Sequence, residues 1–293
     1  MNDKRLRRLK TGIDGLDAIL QGGVFRGGIY IVQGAPGAGK TIFANQLCFA
    51  HAVAEGKALY VTLLSENHAR LLGHMETLRF FEPSFVPDRV TYLSAFRILE
   101  EDSLKGLVET LRREITRHKA TLLVLDGLVS AEETASSPRD MKKFVHELQT
   151  QASLTDCTTY LLTSAYMGQQ LVSAEHTMVD GIFDLQSRLH GRRAERELVV
   201  HKFRGSSYLR GVHSFRITDT GIAVYPRVEA LFAHPSGHIK ADGPFLSLGV
   251  GEIDSMLGGG VKKRSTTLVM GPAGTGKTTL GLQFLGAPQA GRG

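Results

Sequence analysis

The apolar positions of this chain fall into short continuous runs separated by longer stretches with helical spacing. Ile29-Tyr30-Ile31-Val32 is a short apolar run that stops at a glycine-rich loop, so it predicts a buried strand. A helix follows from Lys40 to about Ala54, then a strand over Ala58–Leu63, a helix to about Arg79 and a strand over Val90–Leu93. Leu107, Val108, Leu111 and Ile115 form one face of a helix from Leu104 to His118. Thr121–Leu125 is continuously apolar, as expected of a strand covered on both faces. Met141–Leu154 predicts a helix and Thr159–Thr163 another buried strand. From about Asp180 to Tyr225 the period shortens toward two, with turn signals at His190-Gly191 and Thr220-Gly221, which predicts antiparallel strands added to one edge. The alternating order predicts an α/β fold with a mainly parallel, doubly wound sheet.

The chain also carries the start of one domain twice. Residues 11–50 align without gaps to residues 248–287, with about a third of the positions identical. Gly12/Gly249, Asp17/Asp254, Leu20/Leu257 and Gly22-Gly23-Val24/Gly259-Gly260-Val261 share the frame. The expected organisation is a basic arm over 1–10, a complete domain over 11–232, a linker over 233–245 and the start of a second domain over 246–293. The second copy has one candidate strand and one helix, and a lone parallel strand has no neighbours to pair with. Loose packing, or docking on the first domain, is the expectation for residues 246–286.

Of the 293 residues, 42% are apolar and 22% charged, which fits a globular protein, and no apolar run reaches the length of a membrane span. The net charge of +6 owes much to the cluster Lys4–Lys10, read as a solvated arm, and is weak support for a nucleic-acid partner. Cys48 and Cys157 lie far apart in apolar segments, so they predict buried free thiols in a reducing, cytoplasmic setting. His234 and His238 flank Pro235 and Gly237 in the linker, which argues against a metal site there.

Gly34-Ala35-Pro36-Gly37-Ala38-Gly39-Lys40-Thr41 matches the phosphate-binding loop G-x-x-x-x-G-K-[ST] between a strand and a helix. Glycines let the backbone curl so that several N–H groups face phosphate oxygens, and the following helix offers its positive end to the same anion. Lys40 would reach the β- and γ-phosphates, and the Thr41 hydroxyl would coordinate Mg²⁺. Asp126 ends the run Leu122–Leu125 on the side where carboxyl ends of strands line a nucleotide crevice, a second candidate holder of Mg²⁺. Glu66, after the strand at Leu59–Leu63, is the candidate that orients the attacking water. Arg196, Lys202 and Arg204 share parity in a strand over 195–203, and nothing places them near their own chain's loop. Gly271, Gly274, Gly276, Lys277 and Thr278 repeat the loop pattern without an acid, glutamate or basic strand downstream, so that copy reads as ancestry more than activity.

Taken together, Gly12–Asp17, the loop ending Lys40-Thr41, Tyr60-Val61-Thr62 with Ser65-Glu66, and Leu125-Asp126 resemble the KaiC branch of the RecA-like ATPases. His201–Tyr208 and Phe215–Ile222 are similar to that family's K-[LF]-R-G-[TS]-S and F-x-I-T-x-x-G-I segments. The resemblance covers residues 10–230 as one lobe and 246–286 as the start of another. It implies a hexameric ring of one chain with ATP between subunits. It also implies that Lys202 and Arg204 contact the neighbour's γ-phosphate, that Ser207 and Tyr208 lie near ribose and base, and that Arg196 is a further phosphate contact. Two departures matter. Ser65-Glu66 stands where the family has a glutamate pair, and the second lobe, which carries the family's autophosphorylation sites, is cut short, so self-kinase activity is doubtful for this chain.

The leading expectation is a slow Mg²⁺-dependent ATPase whose nucleotide state gates a signalling partner. One alternative is a DNA-associated recombination ATPase. Its ring-facing loops, Ala131–Ser137 and Tyr166–Gln170, are not basic, which argues against a nucleic acid. The other alternative is a scaffold that binds ATP without hydrolysing it.

Overall fold

A computed structural model describes residues 7–65, 68–164, 174–232 and 244–287. The chain divides into two compact units, Met1–Leu231 and Phe232–Gly293. The first opens with strand β1 (Arg8–Leu9), a short helix α1 (Leu16–Ile19), β2 (Val24–Phe25) and β3 (Ile29–Gln33). There follow α2 (Lys40–Val53), β4 (Ala58–Thr62), α3 (His68–Met75), β5 (Val90–Ser94), α4 (Phe96–His118) and β6 (Leu122–Asp126). The rest is α5 (Leu128–Thr134), α6 (Pro138–Thr155), β7 (Thr158–Thr163), α7 (Ala174–Met178), β8 (Gly181–His190), β9 (Arg193–Phe203), β10 (Val212–Thr218), β11 (Gly221–Tyr225) and α8 (Val228–Leu231).

Nine strands form one sheet in the order β11-β10-β9-β8-β3-β7-β6-β4-β5. The six from β8 to β5 run parallel, and β9, β10 and β11 extend the edge antiparallel. The expected α/β architecture is therefore present, except that β8, read as antiparallel, pairs parallel with β3. Both faces are covered, which is why the central strands read as unbroken apolar runs. Tyr30, Val32, Phe43, Leu47, Tyr60 and Val124 pack on the α2 side, and Ile29, Ile31, Leu107, Leu123, Phe144 and Leu161 on the α4/α6 side. Cys48 and Cys157 are buried and free. No described helix is long and apolar enough to cross a membrane.

Three local expectations are corrected. Within the segment read as a solvated arm, Arg8–Leu9 form β1, which pairs antiparallel with β2 and buries Leu9, whereas Arg7 and Lys10 are exposed. Residues 131–134 of the stretch read as a loop over Ala131–Ser137 belong to helix α5 (Leu128–Thr134). The helix read from Leu104 begins earlier, at Phe96, and is broken at Ser103, whose φ of 62° and ψ of −170° leave the helical region. The other loop weighed for DNA contact, Tyr166–Gln170, lies outside the described residues, as does most of the linker.

The second unit repeats the opening of the first on a small scale: β12 (Phe245–Leu246), α9 (Gly251–Met256), β13 (Val261–Lys262) and α10 (Lys277–Gly286). β12 pairs with β13 in the register of β1 with β2, shifted by the repeat offset. Asp17 accepts from the Thr11 N–H at 3.0 Å, and its counterpart Asp254 accepts from the Leu248 N–H at 2.7 Å. Residues 266–270, which match β3, form no strand, and Leu268, Met270, Leu282 and Leu285 are exposed. A β3-like segment without parallel neighbours has no partners for its backbone groups.

Candidate active site

The phosphate-binding loop spans the gap between β3 and α2 at the carboxyl edge of the sheet. Gly34 sits so close to β8 that an added Cβ would lie 2.2 Å from the Leu185 carbonyl oxygen, and Gly37 takes a φ of +77°, where a side chain is strained. The Lys40 ammonium curls back to donate to the carbonyls of Gly34 at 2.7 Å and Ala35 at 3.1 Å. Burial lowers the Lys40 pKa, and the nearby Asp126 carboxylate opposes that shift. The second loop has the same curl: Lys277 donates to Gly271 at 2.7 Å and Pro272 at 2.6 Å.

Side chains from two strands hold the site in shape. Tyr92 on β5 donates to Asn45 at 2.6 Å, and the Asn45 amide donates to the Thr41 carbonyl at 2.8 Å, so the first turn of α2 is fixed from the far edge of the sheet. Asp126 ends β6, with β7 between it and the loop strand β3. Tyr60 on β4 donates to Asp126 Oδ2 at 2.5 Å. Burial, and then the charge of Asp126, raise the Tyr60 pKa well above the usual phenol value, so it stays a donor. Asn45 and Tyr92 carry no motif, and Tyr60 is marked only within the stretch Tyr60-Val61-Thr62 of the resemblance, with no role assigned. The parity of strand residues flanking an acid at a strand end is the signal that points to its role. Glu66, the candidate for orienting water, lies outside the described residues.

The basic cluster divides. Arg196 donates to the carbonyls of Gly37 at 3.1 Å and Ala38 at 3.2 Å, so it braces the loop of its own chain. That corrects the reading that nothing brings it there. Arg196 and Lys202 do not share a face either. A bulge beside Ile182/Phe183 takes His201 out of the β8–β9 ladder and inverts the alternation beyond it. Lys202 therefore sits with Ile182 on the α7 side, where its ammonium donates to the carbonyls of His176 at 3.0 Å and Thr177 at 2.9 Å. Arg204 donates to the same Thr177 carbonyl at 2.7 Å. Burial and then the Arg204 charge lower the Lys202 pKa. Arg196 and Lys202 are six positions apart, about 20 Å of extended strand. Because β8 runs parallel to β3, Lys202 stands level with Ile31, midway along β3, and Arg204 lies toward the start of that strand, away from the loop. Ser207 donates to Gln21 at 2.7 Å, and Tyr208 packs edge-on against Phe203 at 6.4 Å.

A buried carboxylate also stands near the loop strand. Asp184 pairs across from Gln33, the residue before Gly34, and accepts from His201 at 3.0 Å and Gln186 at 2.6 Å. Burial opposes its charge, but the hydrogen bonds from His201 and Gln186 outweigh burial and hold its pKa below the usual value. Among the described residues no group of three or more His, Cys, Asp or Glu is placed to hold a metal. The donor set that fits one is a hydroxyl and a single carboxylate, Thr41 and Asp126, the pattern of a Mg²⁺ carried in with nucleotide phosphates.

The chain matches the family described as "ATPase: KaiC" over residues 9–229 and 246–292. It is 28% identical to the circadian clock oscillator protein KaiC of Acaryochloris marina, over 97% of this chain and 56% of that protein. Against KaiC of Parathermosynechococcus lividus the identity is 26%, over 94% of this chain and 52% of the other. The chain thus spans about half the length of the curated relatives it matches. A KaiC-like protein of the hyperthermophilic archaeon Pyrococcus horikoshii shares the fold, with a TM-score of 0.67 over 76% of this chain and all of the other, at 23% identity.

Proposed function

Because this chain belongs to the KaiC family of ATPases, we propose that it hydrolyses Mg²⁺-ATP slowly at sites shared between neighbouring subunits of a homo-oligomeric ring, six in number by the resemblance. In this reading Gly34 to Lys40 cradle the triphosphate. Thr41 and Asp126 hold Mg²⁺, which supplies charge neutralisation at the β- and γ-phosphates when bound. Glu66 orients the attacking water, and Lys202 and Arg204 stabilise charge on the γ-phosphate of the neighbour. The observation that carries the reading is the division of the cations: Arg196 touches its own loop, whereas Lys202 and Arg204 lie against the Thr177 carbonyl on the α7 side, with no bond to that loop among their described contacts. In this reading they serve a nucleotide across a subunit boundary. Nucleotide state then alters the surface offered to a signalling partner.

Mixing two inactive variants tests this. Arg204→Ala chains retain the loop, and Lys40→Ala chains retain the cations, so an equimolar mixture should regain about a quarter of wild-type turnover, the share of interfaces that random mixing makes whole. A mixture as inactive as its parts contradicts shared sites.

A further inference from the structure

Arg8 lies in β1, directly opposite Phe25 of β2. Its guanidinium donates to the carbonyls of Leu20 at 2.8 Å and Gly23 at 2.6 Å, and to the Ser206 hydroxyl at 2.6 Å. It also lies over the Phe25 ring at 4.5 Å, with the Phe203 ring at 6.0 Å. One side chain therefore ties the glycine turn after α1 to the end of β9 and to the turn that follows it. Two more bonds join the same segments: Ser207 to Gln21 at 2.7 Å and the Leu209 N–H to the Ile19 carbonyl at 2.9 Å. The tied segment, residues 203–209, holds Arg204 and begins one residue after Lys202.

The internal repeat supplies a control. The second unit builds the same two-stranded ladder, but Phe245 occupies the position of Arg8 and Lys262 that of Phe25. The ladder thus forms without an arginine at this place. The ladder is therefore not what calls for Arg8; what its guanidinium adds is the set of bonds to Leu20, Gly23 and Ser206.

We propose that Arg8 is a positioning residue for the segment that serves the neighbouring subunit's nucleotide, fixing Lys202 to Tyr208 in the geometry needed for transfer. The inference rests on the shared-site reading above. A group held through a charge-assisted hydrogen bond and an aromatic stack loses its setting when the cation goes. A misplacement of about 1 Å at such a distance from the chemistry can cost on the order of 100-fold in rate. Arg8 stands on β1, in the same chain as the loop at Gly34–Thr41, yet its effect belongs to the next subunit's site.

The test uses full-length chains and reads kcat apart from nucleotide affinity. Arg8→Ala should lower turnover by about 10- to 100-fold while leaving ATP binding to its own loop within about twofold of wild type, a difference too small to mark a lost contact. Mixed with Lys40→Ala chains before assembly, it should regain about a quarter of wild-type turnover, as Arg204→Ala does. Ser206→Ala, which removes the acceptor for Arg8 together with a local donation to the Ser207 carbonyl, should show the same pattern more weakly. Undiminished turnover in Arg8→Ala, or loss that Lys40→Ala chains cannot rescue while the Arg204→Ala pair is rescued, overturns the inference alone. Failure of the Arg204→Ala pair removes the shared-site reading and this inference with it.

Discussion

Removing one oxygen atom from Tyr60 isolates the support that Asp126 draws from the neighbouring strand. Tyr60 is fully buried, and its hydroxyl donates to Asp126 Oδ2 at 2.5 Å. Phenylalanine keeps the ring and its packing against Tyr92, 5.4 Å away between centroids, so Tyr60→Phe deletes one hydrogen bond and little else. A hydrogen bond to a charged group contributes about 1.5–3 kcal/mol. Asp126 is half-buried, so water partly replaces the donor, and a stability loss near 1 kcal/mol is expected, about 2–4 °C in Tm for a domain of this size. The effect on metal should be larger, because partners that orient a metal-binding group typically carry about 10–100-fold in affinity or activity. ATP turnover followed across a Mg²⁺ titration should need at least about tenfold more Mg²⁺ to reach half-maximum. Binding of a fluorescent ATP analogue in EDTA should be unchanged, since Tyr60 touches no residue of the loop among its described contacts. A Tyr60→Phe protein with the wild-type Mg²⁺ dependence would refute the role assigned to this pair. Loss of binding in EDTA would mean that Tyr60 shapes the loop instead.

Arg196→Ala should weaken ATP binding by about tenfold, the scale of one lost charge-assisted contact, and mixing with Lys40→Ala chains should not restore turnover, because both lesions lie on the same side of the interface; rescue would return Arg196 to the neighbour's site. His51 is buried beside Thr121, and burial together with the Arg26 charge lowers its pKa to about 4. The unfolded chain, with a histidine pKa of about 6.5, then binds more protons between those values, so stability falls as pH drops through that window, by about 2 kcal/mol from pH 7 to pH 5. Urea unfolding at both pH values should show this, and His51→Gln should flatten it; an equal slope in the variant excludes His51 as the cause. Amides of residues 265–270, which form no ladder, should exchange orders of magnitude faster than those of β3; matching protection would show a packed second sheet.

Much of the fold was legible because the central strands are covered on both faces and so read as apolar blocks. The loop was legible because its glycines and lysine are demanded by local backbone geometry. Residues 266–270, read as a candidate strand by their match to β3, form none, because a parallel strand depends on neighbours that local composition does not reveal. What the sequence did not reveal depends on register. Parity placed Arg196 and Lys202 together, and a single extra residue at His201 separates them; a bulge of this kind has no compositional mark. The hold of Tyr60 on Asp126, and that of Arg8 on Ser206 across 198 positions of sequence, arise only once the strands are aligned. The short α5 was hidden because Ala, Glu and Thr in a seven-residue stretch fit a loop as well as two helical turns.

The central claim is that a working site needs two subunits. Sedimentation of the full chain with and without Mg²⁺-ATP, beside its ATP turnover, tests it most directly. The account predicts a closed ring, of about six chains by the family's symmetry, whenever the protein is turning over ATP. A protein that stays a single chain at every nucleotide concentration, while hydrolysing ATP at an undiminished rate, would contradict it.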